Sequence, residues 1–227
     1  MLSLIAAAVF FLLIHFGVSG TRLRDSLVAR LGARAYRGLF SLASLGGIVW
    51  MGFAYRRAPT VETWGLLLGL RPAALVVVLV GVLLVVIGLA SPNPTSVGME
   101  GAIAKGADAV HGITRITRHP FLWGVGLWAL AHLVVNGDLA SLILFGSLLL
   151  LSLGGSASID AKKRRQLGER WQQFAASTSN VPFGAIATGR NALRPALAEI
   201  GILRPLLALL VFVATFWLHG RFIAPLT

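Results

Sequence analysis

Apolar residues run along this chain in uninterrupted blocks, wider than the single stripe of an amphipathic helix and far longer than a buried strand. Residues 2–18 and 39–55 are uncharged, and residues 73–90 form a Leu/Val run bracketed by Pro72 and Pro92. Blocks 121–135 and 139–159 are separated only by Asn136-Gly137-Asp138, a polar turn that reads as a helical hairpin tip. A shorter block, 206–219, follows Arg204-Pro205, with the proline suited to a first helical turn. A bilayer core of about 30 Å takes about 20 helical residues, with about 17 as the practical minimum. The pattern therefore predicts an all-α, polytopic transmembrane helix bundle of about six spans. The block from Trp64 to Leu70 is too short to cross and reads as interfacial or packed within a loop.

Composition agrees with a membrane protein. Of 227 residues 56% are hydrophobic and 12% charged, with mean hydropathy +0.82, which excludes both a soluble globule and a disordered chain. Absence of cysteine excludes thiol catalysis, Cys-ligated zinc, iron–sulfur clusters and disulfide scaffolds. The first block could be taken for a secretory leader ending at Val18-Ser19-Gly20, but no basic segment precedes it and Arg22 and Arg24 follow at once, so it is expected to stay as a span.

The net charge of +12 acquires a meaning once the spans are drawn. Sixteen of the 20 Lys and Arg residues fall in the first, third and fifth connections, and Arg56, Arg57, Arg71 and Arg221 fall on the opposite side. By the positive-inside rule the odd loops are cytoplasmic and both termini lie outside. This explains the basic balance without nucleic acid, and no aromatic-interleaved basic groove is present. The long third and fifth loops, 91–120 and 160–204, are where function is expected. Within the latter, Leu167, Trp171 and Phe174 recur at helical spacing among Lys and Arg, the pattern of a helix lying on the inner leaflet. The tryptophans sit mostly near expected interfaces and receive no catalytic role.

No carboxylate lies in the first five spans, so candidate chemistry falls to the histidines. His15 and His119 share one expected membrane depth near the cytoplasmic face, and His132 and His219 share another near the outer face. His111 stands alone in a loop, where an ordinary solvated residue is the simpler reading. Two level-matched histidines on different helices can hold a b-type haem, with Arg22, Arg115 and Arg118 placed to pair its propionates. From the spacing alone, hydrogen bonding of each histidine to a neighbouring helix is the simpler reading. Near His119, Pro120 opens a helix whose free N–H groups and dipole favour an anion, and Arg115 and Arg118 add charge; a plain positive-inside anchor accounts for the same residues.

Arg118-His119-Pro120 with Gly124, His15-Phe16-Gly17, Leu23-Arg24, Leu31-Gly32 and the run Tyr36 to Leu42 together resemble the NnrU family. Trp128-Ala129-Leu130-Ala131-His132-Leu133 with Asn136-Gly137-Asp138 resembles it too, so the likeness extends over most of the chain and residues 1–227 are expected to form a single NnrU-like membrane domain. The resemblance implies a bacterial inner-membrane protein that supports denitrification alongside nitrite and nitric oxide reduction, with nitrogen-oxide reductase components as partners besides the lipid bilayer. It also implies kinship with zeta-carotene isomerase, a haem b membrane enzyme, whose axial histidines map onto His15 and His119; the iron would then serve redox sensing, electron transfer or isomerisation. A sulfur ligand is excluded in this chain, which has no cysteine.

A more distant resemblance joins the Arg-His-Pro element to membrane methyltransferases acting on isoprenylcysteine or phospholipids, which implies S-adenosylmethionine as an alternative cofactor. Here Leu122 stands where those enzymes carry a tyrosine, and only Asp160 precedes Lys162 to Arg165 where they carry paired glutamates. A non-catalytic membrane assembly factor is the third reading, in which no single histidine matters.

Overall fold

The computed structural model describes residues 1–96, 99, 101–103 and 109–219. Lys105 and Arg221, used in the charge count, lie outside them. Helix α1 (Leu2–Leu12) runs on into a π-helical turn, Leu13–Ser19. Then come α2 (Arg22–Leu31), α3 (Ala33–Arg56), α4 (Arg71–Leu89), the short α5 (Ile113–Ile116), α6 (Pro120–Asn136) and α7 (Leu139–Leu167). Four more helices follow: α8 (Glu169–Ser177), α9 (Gly184–Ala187), α10 (Leu193–Ile200) and α11 (Leu203–Leu218). Among the described residues no strand forms beyond an isolated bridge between Glu62 and Asp138.

Helices cover all six apolar blocks. Four are long and apolar enough to cross a membrane: Leu2–Ser19, Ala33–Arg56, Leu68–Leu89 and Leu139–Leu167. A fifth crossing is added if α10 and α11, bent 72° apart, count as one broken span, and α6 is a shorter apolar helix. The main departure from the expected boundaries is that α3 begins six residues before the apolar block and α7 runs eight beyond it. Hydropathy marks only the stretch in hydrocarbon, whereas a helix continues into water while its backbone bonds stay satisfied.

The chain divides into two compact units, each built from two stretches: residues 1–74 with 129–162, and 75–128 with 163–227. In the first unit, α1 and α3 pack closely at Gly47, where an added Cβ would come within 3.1–3.3 Å of Phe10 and Phe11. The hairpin tip forms as expected: Gly137 takes φ +61°, and Asp138 accepts the Ser141 amide at 2.9 Å, capping α7. The Trp64 segment folds onto this tip, with Thr63 and Gly65 amides donating to the Gly137 carbonyl and the Trp64 indole donating to Val134 at 3.0 Å.

In the second unit, α4 and α6 meet at glycines. A Cβ on Gly81 would lie 2.8 Å from the Gly124 carbonyl oxygen, and one on Gly88 would lie 2.7 Å from the Pro120 ring. Small residues one heptad apart thus let two backbones touch. Leu84 and Ile87 of α4 join Ile113, Ile116, Ala196 and Ile200 in one core cluster. The sequence pattern of residues 160–177 is resolved differently from its expected place on the leaflet surface. Gly168, at φ +53°, separates α7 from α8, and Trp171 and Phe174 are buried against Ile103, Ala109 and Val110. Packing within the protein removes these rings from lipid and solvent alike.

Candidate functional site

His15 lies in the π-helical turn that ends α1, where the Gly20 amide reaches back five residues to the His15 carbonyl at 3.0 Å. Such turns shift the helix register locally and recur at functional positions. The imidazole Nδ1 stands 2.7 Å from the Phe11 carbonyl oxygen. A carbonyl only accepts, so in the neutral ring the proton sits on Nδ1 and the Nε2 lone pair is left for another partner. Aromatic rings fix the imidazole plane: Phe11 at 4.4 Å between centroids and Phe40 edge-on at 5.2 Å. Tyr36, one turn before Phe40, stacks on it at 5.9 Å, and the Arg24 guanidinium lies over the Tyr36 ring at 5.7 Å. Arg22, the second candidate of this unit, opens α2 beside the Thr21 cap and is exposed.

His119 belongs to the second unit and is buried, with 2% of its surface exposed. The backbone around it is clamped from two loops. From the first, Asn93 donates through Nδ2 to the Arg118 carbonyl at 3.2 Å and Thr95 Oγ1 donates to the same oxygen at 2.6 Å. From the second, the Ser179 carbonyl accepts the Arg118 amide at 2.9 Å and the Asn180 carbonyl accepts Thr117 Oγ1 at 2.6 Å. The Phe183 amide donates to Ile116 at 2.8 Å, with Phe183 itself in the left-handed region at φ +63°. A bulky residue held there marks a loop whose shape is over-determined by its contacts. The His119 amide donates to Thr117 Oγ1, its carbonyl accepts the first bond of α6, and Pro120 follows as the opening residue, where the missing N–H costs nothing. The motif is thus a rigid mount for one buried imidazole.

The two arginines of this motif have different surroundings. Arg115 forms a two-pronged pair with Glu199, Nε to Oε2 at 2.7 Å and Nη2 to Oε1 at 2.8 Å, and also donates through Nη1 to Asn191. The Gly112 amide adds a bond to the same carboxylate at 2.6 Å. Hydrogen bonding from Arg115 and Gly112 holds the Glu199 carboxyl down at about 2, and the same pair raises Arg115. Arg118 lies over the Trp171 ring at 5.9 Å and reaches toward the Thr178 carbonyl. Within the second unit Arg115, Arg118 and His119 therefore share one loop cluster, whereas His15 and Arg22 share the first unit.

Sequence reasoning passed over Phe11, Tyr36, Phe40, Asn93, Thr95, Asn180 and Glu199. Asn93 had a signal, since an asparagine between two prolines is placed to bond backbone rather than to extend a helix. Glu199 had another: it is the one acid between Glu169 and the end of a very basic chain. Among the described residues no three His, Asp or Glu side chains gather as a metal cluster. A haem iron asks less of the protein, one or two neutral imidazoles, and His15 meets the chemical requirement through its oriented Nε2.

The chain is 29% identical over 193 residues to the chloroplastic 15-cis-zeta-carotene isomerase of Arabidopsis thaliana, covering 81% of this chain and 50% of that protein. It is 35% identical over 82 residues to the Zea mays protein of the same name, covering 36% of this chain and 22% of that one. The match therefore spans half or less of these relatives. No solved structure matches. The family model described as NnrU protein matches residues 3–225. Nearly the whole chain lies within that match, and the protein is a membrane protein belonging to the NnrU family.

Proposed function

We propose that this chain binds haem b in a bacterial inner membrane, with His15 and His119 as its iron ligands, and that it supports nitrogen-oxide respiration. The observation that carries the proposal is the 2.7 Å contact of His15 Nδ1 with the Phe11 carbonyl inside an apolar helix. It is the orienting bond a ligating histidine needs, because it fixes the tautomer and strengthens Nε2 as a donor. His119 adds a buried imidazole on a backbone that neither neighbouring loop lets move. Similarity to proteins named 15-cis-zeta-carotene isomerase supports isomerisation as one of the activities such a site could host.

The residues divide the work. Phe11 and Phe40 keep water from the His15 ring and hold its plane. Arg22 and Arg118 supply positive charge for propionates, and Arg115, engaged by Glu199, holds the motif loop to α10. A bound haem would supply an iron centre for redox sensing, electron transfer or double-bond isomerisation. The charge distribution supports an orientation with both termini outside and the Lys- and Arg-rich connections in the cytoplasm.

Absorption spectra of the detergent-purified protein, oxidised and reduced, test the proposal. A Soret band with reduced b-type features is expected in the wild type and should be lost in His15→Ala and in His119→Ala. A wild type that stays spectrally silent after haem reconstitution would discard the reading, and S-adenosylmethionine binding would be measured next.

A further inference from the structure

The corner between α2 and α3 concentrates charge that the histidine site does not use. Residues 22–37 hold five arginines and one aspartate. That aspartate, Asp25, is engaged by Arg24 Nη1 at 3.0 Å, and Arg24 covers Tyr36. Arg30, Arg34 and Arg37 are exposed, and Arg37 gives one N–H to the Ala33 carbonyl. Among the described residues the ion pair of this corner is Arg24 with Asp25, so three guanidinium groups meet no acid.

Their position relative to the apolar surface selects the partner. Leu39, Leu42, Leu45, Val49 and Phe53 are all exposed, Leu42 by 68%. At about 100° per residue they fall on one side of α3, which is the side that lipid chains must cover. Arg34 lies about 80° from the middle of that side and about 8 Å before Leu39 along the axis. A guanidinium there, on a long side chain at the edge of the lipid-facing stripe, reaches headgroup depth. Leu23 and Leu31 of α2 are exposed as well, giving acyl chains a second apolar contact at this corner.

We infer that Arg30, Arg34 and Arg37 form a binding site for the phosphate of an anionic phospholipid in the bilayer the chain spans. The planar fork of arginine pairs with phosphate through two N–H bonds, and a local excess of four positive charges repels the extra cation of a zwitterionic headgroup. The inference rests on the membrane-spanning character of α3 and is independent of haem.

The test uses the full chain in neutral detergent with equimolar dioleoylphosphatidylglycerol and dioleoylphosphatidylcholine, with retained lipid counted by native mass spectrometry. Wild type should favour the glycerol lipid by on the order of tenfold. The Arg30→Gln/Arg34→Gln/Arg37→Gln variant should bring the two lipids to parity, while Arg56→Gln/Arg57→Gln should keep the preference. Arg34→Gln alone should reduce it a few-fold and Arg34→Lys should retain part, so single variants decide the matter if the triple variant fails to fold. An unchanged preference in the triple and single variants, or an equal loss in Arg56→Gln/Arg57→Gln, would overturn the inference.

Discussion

Breaking the Arg115–Glu199 pair should loosen the loop cluster that carries His119, by an amount the geometry sets. Two charge-assisted bonds at 2.7 and 2.8 Å join the side chains, and the Gly112 amide adds a third at 2.6 Å. Both side chains keep about a quarter of their surface in solvent, 24% and 23%, so screening removes part of the gain. Hydrogen bonds to charged groups contribute about 1.5–3 kcal/mol each when fully made, and a net loss of about 2 kcal/mol is expected on cutting this pair. In a chain of this size that corresponds to about 4–8 °C in thermal midpoint. Arg115→Met should cost more than Glu199→Gln, because it leaves a half-buried carboxylate without its cation. The double variant should cost little more than the worse single one, since each change removes the same interaction.

The dependence on pH has a definite sign. Glu199 is held at about 2 in the folded chain against an ordinary 4.5, so its contribution is complete above pH 4.5 and fades as pH falls toward 2. Thermal melts in detergent at pH 7, 4.5 and 3 should show the gap between wild type and Glu199→Gln closing with acidity. Additive effects of the two substitutions, or a gap that is constant with pH, would refute this reasoning.

Three further outcomes are expected. Gly124→Val, aimed at the backbone contact of α4 with α6, should lower the thermal midpoint through about 1–3 kcal/mol of overpacking, while Gly146→Ala, which meets nothing within 4 Å, should be neutral or mildly stabilising. Thr95→Val should cost about 1–2 kcal/mol by removing the hydroxyl that bonds the Arg118 carbonyl at 2.6 Å, read as a lower melting midpoint; no change would mean that the clamp is redundant. A reporter fused after Asn136 should appear outside the cytoplasm, and cytoplasmic activity there would reverse the orientation drawn from the charges.

Much of the architecture was legible because hydropathy is a direct readout of the lipid-facing segment. The hairpin at Asn136-Gly137-Asp138 and the opening of α6 at Pro120 follow from residue types with one dominant backbone preference. Helix ends were less legible: Arg34 and Arg37 belong to α3 although they break its apolar run. The burial of Trp171 and Phe174 was not legible at all, because a helix facing lipid and one facing Ile103 and Val110 show the same spacing of apolar residues. At the site, the motif around His119 could be read locally, but its clamps could not. Asn93 and Asn180 lie 25 and 62 residues away from Arg118, with nothing in local periodicity to join them. The Phe11 bond to His15 is an i to i+4 contact, yet it becomes informative only once the ring is known to turn back onto its own helix.

Electron paramagnetic resonance of the ferric protein tests haem ligation by two histidines most directly. A low-spin signal is expected in the wild type, giving way to a high-spin signal or loss of haem in His15→Ala and equally in His119→Ala. A wild type that binds no haem, or a low-spin signal that survives either substitution, would contradict it.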